Sequence, residues 1–391
     1  ATRAYWESKS YEAYTAANAN FDVLINTVTT GASTLKLAIG GTGGNPQVSV
    51  AAGATGIFED TANTRTVAAN DLLSWELIVG ATGEVYFRHV GLTLAHASDN
   101  ISFFQAINGS AAASVSAATE YSSLGGQYAP GTTTEVNTQY VFRTAATLNK
   151  LRCYIAANSI AAASTLRLRK NGANGAQSIS IPSLGTGAFE DAVNSDSLVA
   201  GDTANFQLVV GTSGGNTITL SQVQVQTTSV SRQTMLTAGG GQTFANVTRY
   251  GPTEGWLADL DTEAQAYMTT RIAATAGHLY AYVPTNSGGS ASTVTLRKGV
   301  GGGAMADTAV TLSIGASATG AFYDDVNTVS YGAVDQIAYK IVGPTTGTLT
   351  LTIIGVEYPQ GAASAQPYYV RTGGVPGMRI GRPGSIFGRT W

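Results

Sequence analysis

One nine-residue string occurs three times in this sequence, at residues 55–63 (TGIFEDTAN), 186–194 (TGAFEDAVN) and 319–327 (TGAFYDDVN). The Thr, Gly, Phe, Asp and Asn positions keep the same spacing in every copy, which chance similarity would rarely produce. The copies lie much further apart than the unit of a solenoid, which spans about 20–50 residues. The chain is therefore an internal repeat in which each copy should have its own core.

The repeat extends on both sides of this string. An Asp follows the Asn at the same distance in every copy, as Asp71, Asp202 and Asp335, and a short apolar run after it ends in Val-Gly. Upstream, three equivalent segments each begin with Ser-Thr, at residues 33–37, 164–168 and 292–296. The repeat predicts three domains, at residues 1–117, 118–246 and 247–360, followed by a tail at 361–391.

Apolar residues near the repeated Asp alternate with a period of two. Leu73, Trp75, Leu77 and Val79 show this pattern in the first copy, and it is typical of a strand with one buried face. The Ala-rich segment 155–164 suggests a helix, but the third copy has a Gly-Gly pair there, so we expect a loop. Many short strands separated by Gly-rich turns predict an all-β protein of three tandem β-sandwich (jelly-roll-like) domains with an extended C-terminal arm.

The repeated string favours a structural turn. Its Gly permits a positive φ, and its Asp and Asn side chains suit hydrogen bonds to the local backbone. We expect the ring at Phe58, Phe189 and Phe322 to be buried in each core. The alternative is a Ca²⁺ site, whose candidate ligands are Asp60, Asn63, Asp191, Asn194, Asp324 and Asn327. Calcium takes six to eight oxygen ligands, more than each copy offers, so we predict no metal.

No group of residues forms a catalytic or cofactor motif. His89, His96 and His278 do not recur at matching repeat positions, and Cys153 lies in an apolar stretch that suits a small buried side chain. The Gly runs lack the Lys-Ser/Thr ending of a phosphate loop. The sequence therefore predicts no catalytic residues, no cofactor and no enzyme.

Charge argues against nucleic-acid and membrane partners. Charged residues make up 12% of the chain, and 21 Lys and Arg stand against 24 Asp and Glu, for a net charge of −3. Such a chain has no basic field to attract polyanions, and no apolar stretch approaches the roughly 20 residues of a membrane span.

The tail at 361–391 differs in composition from the rest of the chain. It carries four Arg and no acidic residue, so the body is acidic and the tail is basic. Its Pro and Gly residues predict an extended segment, and its large apolar residues suit docking onto another subunit. The predicted assembly contacts are Arg371, Arg379, Arg382, Phe387, Arg389 and Trp391. The alternative is an arm folded back on its own domain; in the docking hypothesis the three domains fold without it.

Three strings in the second copy, 165–172 (TLRLRKNG), 186–194 (TGAFEDAVN) and 199–202 (VAGD), resemble repeated β-sandwich modules of tailed-bacteriophage virion structural proteins. The resemblance implies a non-enzymatic protein located in the virion, with partners such as the major capsid protein and possible self-association. The favoured hypothesis is a capsid decoration or cement protein on the head surface. The alternative is a tail-fibre or adhesin module that binds host carbohydrate.

Overall fold

The structure, a computed structural model, describes residues 2–3, 8–96, 101–107, 113–115, 119–127, 132–212, 215–229, 232–257, 260–270, 273–359 and 367–380. Strands dominate these residues, and the helical elements among them are short 3₁₀ turns at Glu135–Thr138, Glu263–Gln265 and Val300–Gly302. The all-β prediction is confirmed. The chain divides into two compact units, residues 1–99, 107–112 and 365–391 in one and residues 100–106 and 113–364 in the other.

The first unit contains one jelly roll. Its strands are β1 (Thr2–Arg3), β2 (Ser8–Lys9), β3 (Tyr14–Asn26), β4 (Ser33–Ile39), β5 (Thr42–Val50), β6 (Gly56–Val67), β7 (Leu72–Ile78), β8 (Val85–His96) and, from the tail, β31 (Pro367–Ile380). One sheet has the order β1-β7-β4-β5, with β2 also on β7, and the other has the order β31-β8-β3-β6.

The second unit contains two more jelly rolls, the second and the third of the chain. The strands of the second jelly roll come first in the sequence. They are β9 (Ile101–Ile107), β10 (Ala113–Val115), β11 (Thr119–Ser122), β12 (Gly126–Gln127), β13 (Tyr140–Val141), β14 (Ala146–Asn158), β15 (Ser164–Lys170), β16 (Ala173–Ile181), β17 (Gly187–Leu198), β18 (Thr203–Val209) and β19 (Ile218–Ser229). The sheets have the orders β11-β18-β15-β16, with β13 on β18, and β12-β9-β19-β14-β17, with β10 on β19.

The third jelly roll repeats this plan with later strands. They are β20 (Arg232–Phe244), β21 (Thr248–Gly251), β22 (Gly255–Trp256), β23 (Met268–Thr269), β24 (Ala274–Val283), β25 (Thr285–Asn286), β26 (Ser292–Gly299), β27 (Met305–Ile314), β28 (Gly320–Tyr331), β29 (Gln336–Val342) and β30 (Leu349–Pro359). The sheets have the orders β21-β29-β26-β27, with β23 on β29, and β22-β20-β30-β24-β28, with β25 on β30.

The strand pairing does not follow the domain boundaries predicted at residues 117 and 246. Strands β9 and β10 precede residue 117 but belong to a sheet with β19, and β20 precedes residue 246 but pairs with β30. By strand pairing, the second and third jelly rolls therefore begin with β9 and β20. The three-domain division itself stays a prediction, because residues 113–364 form one compact unit.

The described cores show where the period-two pattern holds and where it fails. Strand β7 alternates between buried and half-buried positions, as predicted. Strand β19 is buried on both faces instead, because its alternate Gln and Ser side chains are covered as well as its Leu and Val side chains. Within the second unit, Tyr280 and Ile353 of the third jelly roll belong to the same apolar cluster as the core of the second.

Two further expectations need correction. Phe58, Phe189 and Phe322 lie at equivalent positions but are half-buried, because each lies near the start of an edge strand, where core-facing side chains have neighbours on one side only. The Ala-rich segment 155–164 is a loop only in part, since β14 continues to Asn158 and β15 begins at Ser164.

The pairing of β31 with β8 changes the expectation that the three sandwiches fold without the tail. We predict that deleting residues 361–391 lowers the unfolding temperature of the first unit and promotes aggregation, because it exposes the backbone of β8 as a new sheet edge. The control deletes residues 381–391 and leaves β31 in place. Differential scanning calorimetry with limited proteolysis checks this, and equal stability of the two truncated proteins would contradict it.

Val334 occupies a turn position that suits other residues better. Its φ is +71°, and the equivalent residues before Asp71 and Asp202 are Asn70 and Gly201, also with positive φ. A β-branched residue is strained in this region, so Val334→Asn should raise the free energy of unfolding by about 1 kcal/mol. Val326→Asn is the matched control, because Val326 is more exposed and is not among the positive-φ residues. Urea denaturation measures both, and equal effects would remove the strain argument.

Candidate functional site

The repeated Asp forms a hydrogen-bonded clamp at one edge of each sandwich. In the second jelly roll, Asp191 Oδ2 accepts hydrogen bonds from the Ser178 backbone N at 2.9 Å and from Asn194 Nδ2 at 2.9 Å. Its Oδ1 accepts the backbone N of Val193 at 3.2 Å and of Asn194 at 3.0 Å. Ser178 lies on β16 and Asp191 on β17, the edge strands of the two sheets. The carboxylate therefore links one sheet to the other.

The other two copies have the same bonds. The bond between the two sheets joins Gln47 N to Asp60 Oδ2 at 2.8 Å in the first copy, and Thr311 N to Asp324 Oδ2 at 2.9 Å in the third. In both copies the Asn three residues later donates its Nδ2 and its backbone N to the same carboxylate. The Gly that starts each edge strand has φ between +94° and +109°, as the turn interpretation predicts.

A bulge in the strand pairing accompanies each clamp. Three residues of β6, 61–63, lie opposite Asn18 of β3, and the same three-to-one mismatch occurs opposite Lys150 and His278. All three of these opposing residues have positive φ, between +50° and +55°. The bulge lets the chain turn back so that the amides after the Asp point at its carboxylate.

The clamp alters the acidity of its carboxyl group. Burial raises the pKa of Asp60, Asp191 and Asp324, but the surrounding N–H donors outweigh burial, so each pKa lies below the ordinary value. The folded protein holds these groups as anions. Their charge is compensated by hydrogen-bond donors in the turn and by one backbone N–H from the edge strand of the other sheet.

These contacts bear directly on the Ca²⁺ candidates. The oxygens of Asp60, Asp191 and Asp324 face N–H donors, and the amides of Asn63, Asn194 and Asn327 turn their Nδ2 toward the Asp. Cations prefer oxygen lone pairs that are free. Among the described residues, no group of three or more His, Cys, Asp or Glu is placed to hold a metal.

The second repeated Asp caps a turn in each copy. Asp71 Oδ2 accepts the Ala68 backbone N at 2.7 Å. Asp202 and Asp335 bind the residue three positions earlier in the same way, at 2.9 and 2.8 Å. Each of these Asp residues lies directly before the next strand. Hydrogen bonds hold the pKa of Asp202 below its usual range.

A polar junction that the sequence did not reveal joins the second and third jelly rolls within the second unit. Arg143 contacts the Asp325 carboxylate, and its guanidinium lies 4.4 Å from the centre of the Tyr323 ring. The buried Glu357 carboxylate accepts the Arg143 backbone N at 3.1 Å and Thr144 Oγ1 at 2.9 Å. This junction fixes one jelly roll against the next.

The remaining candidate residues have structural surroundings where they are described. His278 Nδ1 lies 3.0 Å from Asp325 Oδ1, at the same junction. Cys153 is buried, and burial raises the pKa of its thiol to about 12, as expected of a small core residue. The side chains of His89 and His96 lie outside the described part of the structure.

The predicted assembly contacts fall into two groups. Arg371 and Arg379 lie on β31, where their backbones are register partners of Gly91 and Tyr86 on β8. Arg382, Phe387, Arg389 and Trp391 lie outside the described residues. Their role in assembly stays a prediction.

Comparisons with known proteins define no family for this chain. No protein-family model matches it, and no curated protein matches it. Among solved structures, a chain from the Sulfolobus turreted icosahedral virus matches with 12% identity and a TM-score of 0.20, over 90% of this chain and 81% of that one. A chain from an archaeal virus with a triple jelly roll fold and turret assembly matches with 10% identity and a TM-score of 0.16, over 92% of this chain and 82% of that one. No helix in the described residues is long and apolar enough to cross a membrane.

The clamp predicts a specific dependence of stability on pH. Folding lowers the pKa of the three carboxyls below the unfolded value of about 3.9. Their stabilisation is therefore fully present above that value and is lost as the pH falls through the folded pKa. Asp191→Asn should lower the free energy of unfolding at pH 7 by about 2–3 kcal/mol and flatten the acid limb of the stability curve.

The matched control is Asp261→Asn, which removes only a surface ion pair with Arg249, since the Asp261 side chain is 78% exposed. Surface ion pairs contribute little to stability, so this variant should change both the stability at pH 7 and the acid limb much less than Asp191→Asn does. Urea titrations between about pH 3 and pH 7 measure the two variants. If both lose the same stability, the clamp is not the source of the effect.

Chelation tests the Ca²⁺ alternative. Because N–H donors already occupy the three carboxylates, adding EDTA should leave the melting temperature unchanged. Differential scanning fluorimetry with and without EDTA makes the measurement. A drop of several degrees that Ca²⁺ reverses would turn the three clamps into metal sites.

Proposed function

We propose that this chain is a non-enzymatic structural subunit of a virion, a capsid decoration or cement protein that binds the head surface through other virion proteins such as the major capsid protein. The resemblance to tailed-bacteriophage modules suggests this class of protein. The fold supports a building block, because the same jelly roll is used three times in one chain.

The use of the repeated polar residues carries the proposal. The repeat contains three carboxylates that could take part in catalysis, those of Asp60, Asp191 and Asp324. In the structure, their oxygens accept hydrogen bonds that hold the two sheets together. Paired catalytic carboxylates instead need separated pKa values in one cleft, whereas these three all shift in the same direction. The repeated residues therefore stabilise each sandwich, and the sandwich in turn provides a surface for binding other virion proteins.

The copy number in purified virions tests the proposal. Quantitative gel analysis against the major capsid protein should give hundreds of copies per particle for a decoration protein. A handful of copies would favour a tail organelle, and binding to a glycan array would favour the adhesin alternative. Absence from the virion would overturn the proposal.

The terminal tail residues supply a matched test of attachment. A chain without residues 381–391 loses Arg382, Phe387, Arg389 and Trp391 but keeps β31. We expect it to stay folded and to bind heads that lack the protein more weakly, because Trp and Arg are common interface anchors. Undiminished binding by this chain would remove these residues from the assembly contact.

A further inference from the structure

In each jelly roll, one further strand pairs with the last strand of the repeated unit, which is β8, β19 or β30. Beside β19 lies β9, and beside β30 lies β20; both precede the jelly roll that they complete. Beside β8 lies β31, which follows the third jelly roll in the chain. We call the position beside β8 the strand slot, formed by the backbone of Val85–His96.

The pairing of β31 in the strand slot matches that of β20 in the third jelly roll. Strand β20 pairs continuously over 232–238, skips a Gly-rich segment, and pairs again over 242–244. Strand β31 pairs over 367–373, skips a segment with two Gly and one Pro, and pairs again over 378–380. In both cases one residue of the partner strand lies opposite the skipped segment. The strand slot therefore accepts this segment in a defined register, in the manner of β-strand addition.

The strand slot differs from the other two positions in how its occupant is connected. Strands β9 and β20 lead directly into the jelly rolls that they complete, whereas β31 is joined to the first jelly roll through the second and third. Ladder hydrogen bonds are thus its link to the sheet that it completes. An identical strand from another copy can make the same bonds, which is the basis of domain swapping.

We propose that the strand slot of one copy accepts residues 367–380 of a second copy, so that copies in an assembly are linked by strand exchange. This rests on the proposed function, because it names the way in which copies join one another in the virion. The acidic body and the basic tail favour the encounter of two copies. Pro376 interrupts the outer edge of β31, which discourages addition of a further strand.

The balance between exchange and self-pairing depends on concentration. Both states contain the same ladder bonds, so the connection within one chain competes through an effective concentration that its length and stiffness set. Exchange should therefore increase as the concentration of chains approaches this effective concentration, as on a crowded particle surface.

Cysteine pairs at register positions provide the test in the full-length chain. Ala95 on β8 is the register partner of Pro367 on β31. The double variant Ala95→Cys/Pro367→Cys should form a disulfide within one chain at low concentration. Cys153 is buried with its thiol pKa raised to about 12, so it does not compete. Leu92→Cys with Val370→Cys gives a second, independent register pair.

Mixing the two single variants distinguishes exchange from self-pairing. Ala95→Cys chains mixed with Pro367→Cys chains should give a covalent dimer of twice the mass on a non-reducing gel, in an amount that rises with concentration, while each variant alone stays monomeric. A mixture that stays monomeric up to millimolar concentration, beside a double variant that closes internally, overturns strand exchange. A double variant that does not close in either register pair overturns the strand slot itself. If the protein exchanges strands but is absent from virions, the proposed function is contradicted and the strand-exchange proposal is still supported.

Discussion

A buried carboxylate that bridges two sheets is the interaction on which this fold depends. A β-sandwich needs contacts that hold its sheets in register at the edges, where packing is thinnest. Here one Asp on the edge strand of one sheet accepts a backbone N–H from the edge strand of the other, in all three jelly rolls. The adjacent bulge supplies the further donors that make a buried negative charge tolerable. The motif is repeated because each sandwich has this edge to close.

Two kinds of contact hold the jelly rolls together. Within the second unit, side chains connect two neighbours, since Arg143 and Glu357 form a polar junction beside an apolar cluster shared by both jelly rolls. Within each sandwich, backbone pairing adds a further strand, β31, β9 or β20, to one of the sheets. Backbone pairing constrains register strongly and side-chain identity weakly. Assembly through exchanged strands therefore needs no new recognition surface.

The sequence predicted the repeated turns well because their chemistry is local. Asp, Asn and Gly at fixed spacing imply an Asx-type turn, and the structure confirms it at Asp191 and at Asp202. The same reasoning misjudged the Phe, because Phe189 is half-buried whereas Asp191 is buried. A prediction of burial from hydrophobicity alone leaves out the N–H donors of the turn, and these donors allow the Asp carboxylate to be buried.

The missed features are those that long-range pairing creates. Strands β9, β20 and β31 share little sequence, since a ladder is built from backbone groups, so the repeat did not reveal which sheet they complete. In strand β19, the alternation of Gln222 and Gln224 with Val is typical of a half-exposed strand, yet both Gln side chains are buried. Arg143 and Asp325 lie 182 residues apart and have no repeated counterpart motif. No local spacing could have paired them.

Hydrogen–deuterium exchange of the backbone amides tests the role of the clamp most directly. The amides of Gln47, Ser178 and Thr311 donate to carboxylates 13 residues away in the chain. If the carboxylate holds the two sheets together, Asp191→Asn should speed exchange at Ser178 and across its edge of the sandwich, while Gln47 and Thr311 keep the protection of the unmodified chain. Unchanged protection at Ser178 in that variant would contradict the claim that the clamp closes the sandwich.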